Sequence, residues 1–302
     1  MSQLAVRRCA TTVVAGAILI ALSACGGKEE AAPTNTSPSA ASKVDAINQS
    51  LPDDVKSSGV ITAATANDYP PFEFLDESNN LVGADIDFSK ALGEIMGVEI
   101  KNEVTPFSGI VTGLASGRYD VGISSIGDYT SRQESVDFVD YYQGGTSFLI
   151  RAGDPEPKSE TDVCGTAVGV LKGTASEAMA EDTGKKCVDD GNKPVDIMAF
   201  PTQDGAILAL TSKRVDSVAG DAATNGYSAK QVGPSLQNVG LTVYNDRPYY
   251  GIALPKGSAL YDPFMAAMTE LFESGQYKAI LDKWGIQDGA IDAPTKNNGT
   301  KD

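Results

Sequence analysis

The chain of 302 residues contains no histidine and one tryptophan. Without imidazole it lacks the commonest general base at neutral pH and the commonest zinc ligand. No catalytic residue, metal site or cofactor is read from it. Basic residues are scarce, 24 Lys and Arg against 40 Asp and Glu, for a formal charge of -16. A surface of that sign repels phosphate backbones and anionic membranes, so no nucleic-acid partner is expected. Long apolar runs are missing too. Residues 13–22, behind Arg7 and Arg8, form an apolar stretch shorter than the roughly 20 residues a bilayer span needs. It reads as the core of a secretion signal covering residues 1–24.

The signal ends in Leu22-Ser23-Ala24-Cys25, which resembles the bacterial lipobox, whose cysteine is diacylated and becomes the new N-terminus. The alternative is plain cleavage after Ala24 with Cys25 left free. Residues 26–50 are rich in Ala, Pro, Ser, Thr and Asn and hold too little apolar surface to fold. Residues 25–50 are therefore expected to be a lipidated flexible tether, reaching on the order of 25–30 Å from the membrane.

Cysteine is rare, four in all. Cys9 leaves with the signal and Cys25 carries lipid, so Cys164 and Cys187 remain, and in an oxidising compartment they pair. Closing that loop is worth roughly 3 kcal/mol in the chain-entropy model. A redox-active pair is the sharper alternative, but redox motifs place their cysteines two residues apart.

What is present is alternation. Ala91, Leu92, Ile95 and Met96 recur at helical spacing, as do Ile110, Val111 and Leu114, then Ile207, Leu208 and Leu210. Phe264, Met265, Met268, Leu271 and Phe272 mark another helix, with Pro263 in its first turn. Between these lie apolar strand candidates at 60–64, 121–125, 167–171 and 251–254. Strands separated by helices imply βαβ units and mainly parallel sheets. One stretch also echoes another. Aligned on Gly109 and Gly205, Leu114 falls on Leu210, Ser116 on Ser212, Arg118 on Arg214 and Asp120 on Asp216. Each copy is a glycine-started helix, a polar turn and a short strand, which predicts two lobes of like topology. Ser125 and Asp221 become equivalent, just past the carboxyl ends of their strands, where ligands sit in open α/β sheets. Phe107 and Gln203 precede equivalent helices. If the lobes face each other, these four residues look into one cleft.

The stretch from Asn67, NDYPPFEFLDESNNLVGADIDFSKALGEIMGV, resembles the first lobe of the polar-amino-acid solute-binding proteins of ABC importers (extracellular solute-binding protein family 3). So do PFSGIVTGLASGRYDV, SRQESVDFVDYY, CGTAVGVLKGT, YYGIALPKGS and ESGQYKAILDKWG, in order over roughly residues 55–286. The resemblance implies a two-lobed α/β periplasmic-binding-protein-like fold of type II, each lobe a mainly parallel sheet flanked by helices. It implies two chain crossings, at 142–147 and 244–249. The first lobe then covers residues 51–143 and 249–290, the second 148–244, and residues 291–302 are left as a flexible tail.

It also implies roles. Arg132 matches the arginine that grips the ligand α-carboxylate, a task suited to a planar two-donor guanidinium. Asp221 matches the aspartate that takes the α-ammonium, and as a residue before Ala222-Ala223 it equally suits a helix N-cap. Thr174 matches a second-lobe donor to the carboxylate, with helix capping as the ordinary alternative. Tyr69 and Phe107 match the aromatic walls, and Ser125 presents its hydroxyl or carbonyl. Two departures stand out. Gly127 stands where many relatives have Ser or Thr, so only backbone acts there, and Ala66 stands where cation- or amide-binding relatives carry an acid. Asp68 is the nearest substitute, and the lean is toward an uncharged amino acid.

The expected function is that of the binding component of an ABC importer, a monomeric, lipid-anchored protein outside the cell membrane that closes on an amino acid and hands it to a permease. Two rival readings are an enzyme on the same fold, resembling a cyclohexadienyl dehydratase, and a ligand-sensing lipoprotein.

Overall fold

The β-branched and small apolar residues of Val60–Thr65 form strand β1, buried on nearly every position at the centre of the first of two sheets. The structure, a computed structural model, describes residues 40–239 and 248–299. The signal segment, Cys9 and Cys25 lie outside those residues. Two helices precede β1: α1 (Ala40–Ser50) and α2 (Asp53–Ser58). The first corrects an expectation, because composition alone places residues 40–50 in the tether. Ile47, Leu51 and Val55 are buried in the same core as Leu92, Ile95 and Met96. Asn48 Nδ2 donates to the Met96 carbonyl at 2.7 Å. Three apolar anchors and one amide suffice to dock an otherwise polar segment.

After β1 come β2 (Asp68–Tyr69), β3 (Glu73–Leu75) and β4 (Leu81–Val82), a small sheet of their own. Helix α3 (Ala84–Met96) buries Phe88, Leu92, Ile95 and Met96 on one face and stops at Gly97, whose left-handed backbone ends the helix. Strand β5 (Glu99–Val104), α4 (Ile110–Ala115), β6 (Val121–Gly127) and β7 (Val136–Gln143) come next. The chain then enters the second sheet through Gly144 and Gly145 into β8 (Thr146–Arg151), within the segment expected for the first crossing. The second lobe continues with β9 (Ala167–Leu171), α5 (Ala175–Asp189), β10 (Asp196–Phe200), α6 (Gln203–Thr211), β11 (Ser217–Asp221), α7 (Ala222–Val232) and β12 (Leu236–Val239). It returns to the first sheet as β13 (Tyr249–Pro255); of the expected second crossing, residues 244–247 lie outside the described residues. Helices α8 (Tyr261–Glu273) and α9 (Gln276–Trp284) and strand β14 (Thr295–Lys296) complete the first lobe.

The first sheet runs β14-β7-β13-β6-β1-β5 and the second β10-β9-β11-β8-β12. The βαβ units pair in parallel, β1 with β5 and β6, β9 with β10 and β11. The strands next to the crossings are antiparallel, β13 against β6 and β7, β8 against β11 and β12. Each sheet is therefore mixed. Phe72, Phe88, Phe138 and Phe264 are fully buried in the first lobe, each worth roughly 1.5–3 kcal/mol of transfer free energy. Leu208, expected on the buried face of α6, is instead 68% exposed. Its neighbours Ala206, Ala209 and Leu210 carry the packing.

Strand β14 is a second correction. Residues 291–302 read as a flexible tail in the sequence, yet Thr295 and Lys296 pair with Asp140 and Val139 on β7 and make β14 the edge of the sheet. Among the described residues no helix is long and apolar enough to cross a membrane.

Candidate ligand-binding cleft

Strands β6 and β11 end at the face where the lobes meet, and their last residues, Ser125, Gly127 and Asp221, line the site with residues from neighbouring segments. Tyr69, Phe107, Ser125, Gly127 and Arg132 of the first lobe and Thr174 and Asp221 of the second line one cavity of about 40 Å³. That is room for a few waters. Tyr129, Thr146, Leu171 and Tyr250 line it too, and the sequence does not single them out. Tyr250 and Leu171 leave a trace there, in the YYGIALPKGS and CGTAVGVLKGT runs. A wider cavity of about 420 Å³ adjoins it along α5, sharing Tyr129, Arg132, Thr174, Ala175 and Pro248.

Arg132 sits in a short turn between β6 and β7. Its guanidinium lies 5.7 Å from the Phe107 ring centre and 5.3 Å from that of Tyr129. Nη1 donates to the Gly127 carbonyl at 2.8 Å, and Nη2 donates across the cleft to the Gly173 carbonyl at 3.0 Å. Gly127 thus acts through its backbone. A Cβ at that position would stand 2.4 Å from the Tyr129 ring, so a side chain there would have to push the ring aside.

Ser125 has φ 42°, a left-handed backbone that costs a residue with a Cβ on the order of 1–3 kcal/mol. Its N–H donates to Asp85 at 2.5 Å, which pins that conformation, and its buried hydroxyl has no hydrogen-bond partner. Asp85 is one of two wholly buried acids behind the cleft floor. Tyr141 donates to Asp85 at 2.6 Å, and Ser124 donates to Glu73 at 2.6 Å. Burial pushes Asp85 up to about 6, against the hydrogen bonds from Tyr141, Glu73 and Ser125. Burial and the neighbouring Asp85 charge also push Glu73 well up, opposed by the hydrogen bond from Ser124.

The second lobe meets the cleft with helix N-termini. Thr174 caps α5, accepting from the Glu177 N–H at 3.4 Å and donating to the Leu171 carbonyl at 2.7 Å. Asp221 caps α7, accepting from the N–H groups of Ala223 at 2.8 Å and Thr224 at 3.3 Å. Both residues are caps and cavity walls at once. The other Asp221 oxygen accepts from Tyr250 of the first lobe, and the Asp221 N–H donates to the Tyr69 hydroxyl at 3.3 Å. Burial raises the Asp221 pKa against these donors. The N-terminus of α5 favours an anionic group in the cavity, whereas that of α7 is taken up by the Asp221 carboxylate itself.

Gln203 does not face the cavity as expected. It is buried at the start of α6, and its N–H donates across the lobes to Asp68 at 2.8 Å. Asp68, raised by burial against that bond, is therefore engaged with α6 and absent from the lining, whereas Ala66 lines it. Cys164 and Cys187 are bonded, with Cα atoms 5.7 Å apart, tying the approach to β9 to α5.

The profile of the bacterial extracellular solute-binding proteins, family 3, matches residues 61–287. The arginine-binding protein ArgT of Corynebacterium glutamicum is 29% identical over 288 residues, which cover 95% of this chain and 94% of that one. An ancestral arginine-binding protein solved with arginine has a TM-score of 0.68 and 34% identity, covering 75% of this chain and 98% of its own. The ancestral amino acid-binding protein AncCDT-1, a precursor of cyclohexadienyl dehydratase, has a TM-score of 0.69 and 26% identity over 77% of this chain and 98% of its own.

Proposed function

Since the chain belongs to family 3 of the bacterial extracellular solute-binding proteins, we propose that its solute is an α-amino acid held between the lobes. One observation carries this reading: a guanidinium from one lobe and a carboxylate from the other, Arg132 and Asp221, line the same small cavity. Arg132 takes the α-carboxylate, helped by Thr174 and the N-terminus of α5. Asp221 takes the α-ammonium while capping α7, and Tyr69 and Phe107 flank the aliphatic part. Because the two charges of a zwitterion are met from different lobes, the ligand binds the closed arrangement more tightly and shifts the population toward it. Periplasmic binding proteins are among the known examples of such closure.

The closed protein then docks on an ABC permease, and lipid on Cys25 keeps it, as a monomer, at the outer side of the membrane. Fatty-acid labelling that survives Cys25→Ala would refute the anchor, a dimeric solution mass the monomer, and failure to co-purify a permease with the ligand-bound protein the docking.

Among the lining residues Asp221 is the one carboxylate, already bonded to Tyr250 and a helix end. That arrangement supports a binder over an enzyme, and turnover of cyclic carboxylic acids by the purified protein would reverse the assignment. The small cavity offers no second acid to a cationic side chain. The wider cavity beside it, however, is lined by Glu160, Glu177, Glu181 and Asp182, and the relatives are named for arginine. Competition between L-glutamine and L-arginine in calorimetry decides between an uncharged and a cationic side chain.

Arg132→Ala removes two charge-assisted hydrogen bonds and is expected to weaken binding about 100-fold or more. Asp221→Asn, which keeps the helix cap, is expected to weaken it comparably with little change in stability. Wild-type affinity in both variants would sink the reading.

A further inference from the structure

The segment beyond β14 reaches the back of the Arg132 turn. After Lys296 the backbone bends at Asn297, φ 45°. The Asn297 side chain accepts from the Phe138 N–H at 2.7 Å and donates to Asp137 at 2.9 Å. Thr295 Oγ1 and the Asn298 N–H donate to Asp140 at 3.0 and 3.1 Å, and the Gly299 N–H donates to Asp128 at 2.7 Å. Gly299 lies so close to the residue it holds that a Cβ there would fall 2.1 Å from the Asp128 carbonyl oxygen. Only glycine can make that approach.

Asp128 is the link to the cleft. Its other oxygen accepts from Gln133, the residue after Arg132, at 2.7 Å. Its own N–H donates to the Tyr249 carbonyl at 2.7 Å. It comes directly after Gly127, whose carbonyl holds Arg132 Nη1. Both ends of the turn carrying Arg132 are thus tied to one carboxylate, and Gly299 closes that tie. We propose that residues 295–299 form a strap that orients the Arg132 guanidinium for ligand capture, with Asp128 and Gly299 as positioning residues. The inference rests on Arg132 as the group that meets the ligand carboxylate.

The charges around the strap give it a signature. Asp140 is pushed up to about 7 by burial and by Asp128, against donation from Asn298 and Thr295. Burial also raises Asp128, opposed by Gln133, Gly299, Asp140 and the Arg132 charge. Asp140 is therefore about half protonated at neutral pH. Asp137, although burial pushes it up, is held at about 2 by the Gly257 N–H, Asn297 and Lys256, so it stays ionised throughout. The remaining groups facing the pair are Tyr261 and Asp262 of α8, with Lys296 Nζ 4.2 Å from the Tyr261 ring centre. Above about pH 7 Asp140 ionises, the two carboxylates repel and the turn loosens. A carboxamide at 140 keeps the neutral form at every pH.

The test titrates L-arginine or L-glutamine, whichever binds the wild type, at pH 6 and pH 8. Wild type is compared with Arg132→Ala, Gly299→Ala, Asp140→Asn and a chain ending at Pro294. Thermal unfolding and hydrogen exchange are followed in parallel. Gly299→Ala and the shortened chain are expected to bind about tenfold more weakly. Wild type is expected to weaken severalfold from pH 6 to pH 8, and Asp140→Asn to hold the same affinity at both. In ligand-free Gly299→Ala the amides of residues 127–135 should exchange faster, and those of β9 at the wild-type rate. If Arg132→Ala loses binding while Gly299→Ala and the shortened chain match wild type, the strap inference falls and the binding reading stands. If Arg132→Ala binds as wild type, both fall. Should a strap variant lower the melting temperature, a pH dependence that persists in Asp140→Asn overturns the inference. Should neither amino acid bind, unchanged protection of residues 127–135 in Gly299→Ala overturns it.

Discussion

Strands β6 and β11 occupy equivalent places, each with a parallel neighbour on one side and an antiparallel one on the other. Beyond their carboxyl ends the two lobes diverge. In the first lobe the cavity-lining groups stand off the helices: Ser125 on a left-handed backbone near the end of β6, Arg132 in a short helical turn. Each is braced from behind by a buried pair of acids, Asp85 with Glu73 and Asp128 with Asp140. In the second lobe the groups are helix caps, Thr174 and Asp221, positioned by the backbone ladders of α5 and α7 themselves. A side chain set off a helix needs a scaffold; a helix end is its own scaffold. The lobes are also held together differently. One relies on a large aromatic core, the other on a smaller core and a disulfide.

Three measurements would break or sharpen this contrast. The largest effect is expected from Phe264→Ala, which opens a cavity in the first-lobe core and destabilises that lobe by about 3–5 kcal/mol. Urea unfolding followed by Trp284 fluorescence reads it, since Trp284 packs against the same core. An unchanged midpoint would mean that the aromatic core is not what holds the first lobe. Replacing Cys164 and Cys187 together with Ser is expected to remove about 2–4 kcal/mol from the second lobe. The Trp284 signal should then unfold at its wild-type midpoint while far-UV dichroism reports an earlier transition. A single shifted transition in both signals would show the lobes to be one cooperative unit.

The smallest effect concerns pH. Asp85 binds its proton more tightly folded, at about 6, than the ordinary 3.8. Its contribution to stability is therefore present in full below about pH 4 and is lost as pH rises through 6. Melting temperature should rise by a few degrees from pH 7.5 to pH 5, and less in Asp85→Asn. Asp140, pushed up to about 7, adds the same sign in the first lobe, and Asp221, also raised by burial, in the second. Asp137, held low, titrates below this window. An identical slope in Asp85→Asn would locate the titration elsewhere.

Local pattern made most of the frame legible. The helix–turn–strand echo from Gly109 and Gly205 became α4–β6 and α6–β11, because amphipathic spacing and glycine punctuation are short-range signals. The seven residues to which the family resemblance gives ligand-binding roles line one cavity. What escaped was what depends on distant partners. Helix α1 carries few apolar side chains, and its docking rests on contacts with α3 that its own composition does not announce. Asn297, Asn298 and Gly299 look like a solvated end until the carboxylates that receive them are brought across the sheet. Tyr250 belongs to a strand by pattern and to the site only because that strand returns beside β6. Gln203 shares its position with Phe107 by alignment, but the interlobe bond from its backbone to Asp68 buries it beside the cavity and not within it.

The narrowness of the cavity has a bearing on affinity. Arg132 already grips Gly173, and Asp221 already accepts from Tyr250, so under the proposed binding mode each lobe occupies the groups that would meet the solute. An incoming molecule must out-compete these intramolecular partners before it is held. The observed dissociation constant is accordingly the intrinsic one divided by the fraction of protein whose lobes have let go. Sequence changes at the rim, touching no atom of the solute, can in this way retune how much of it the protein retains.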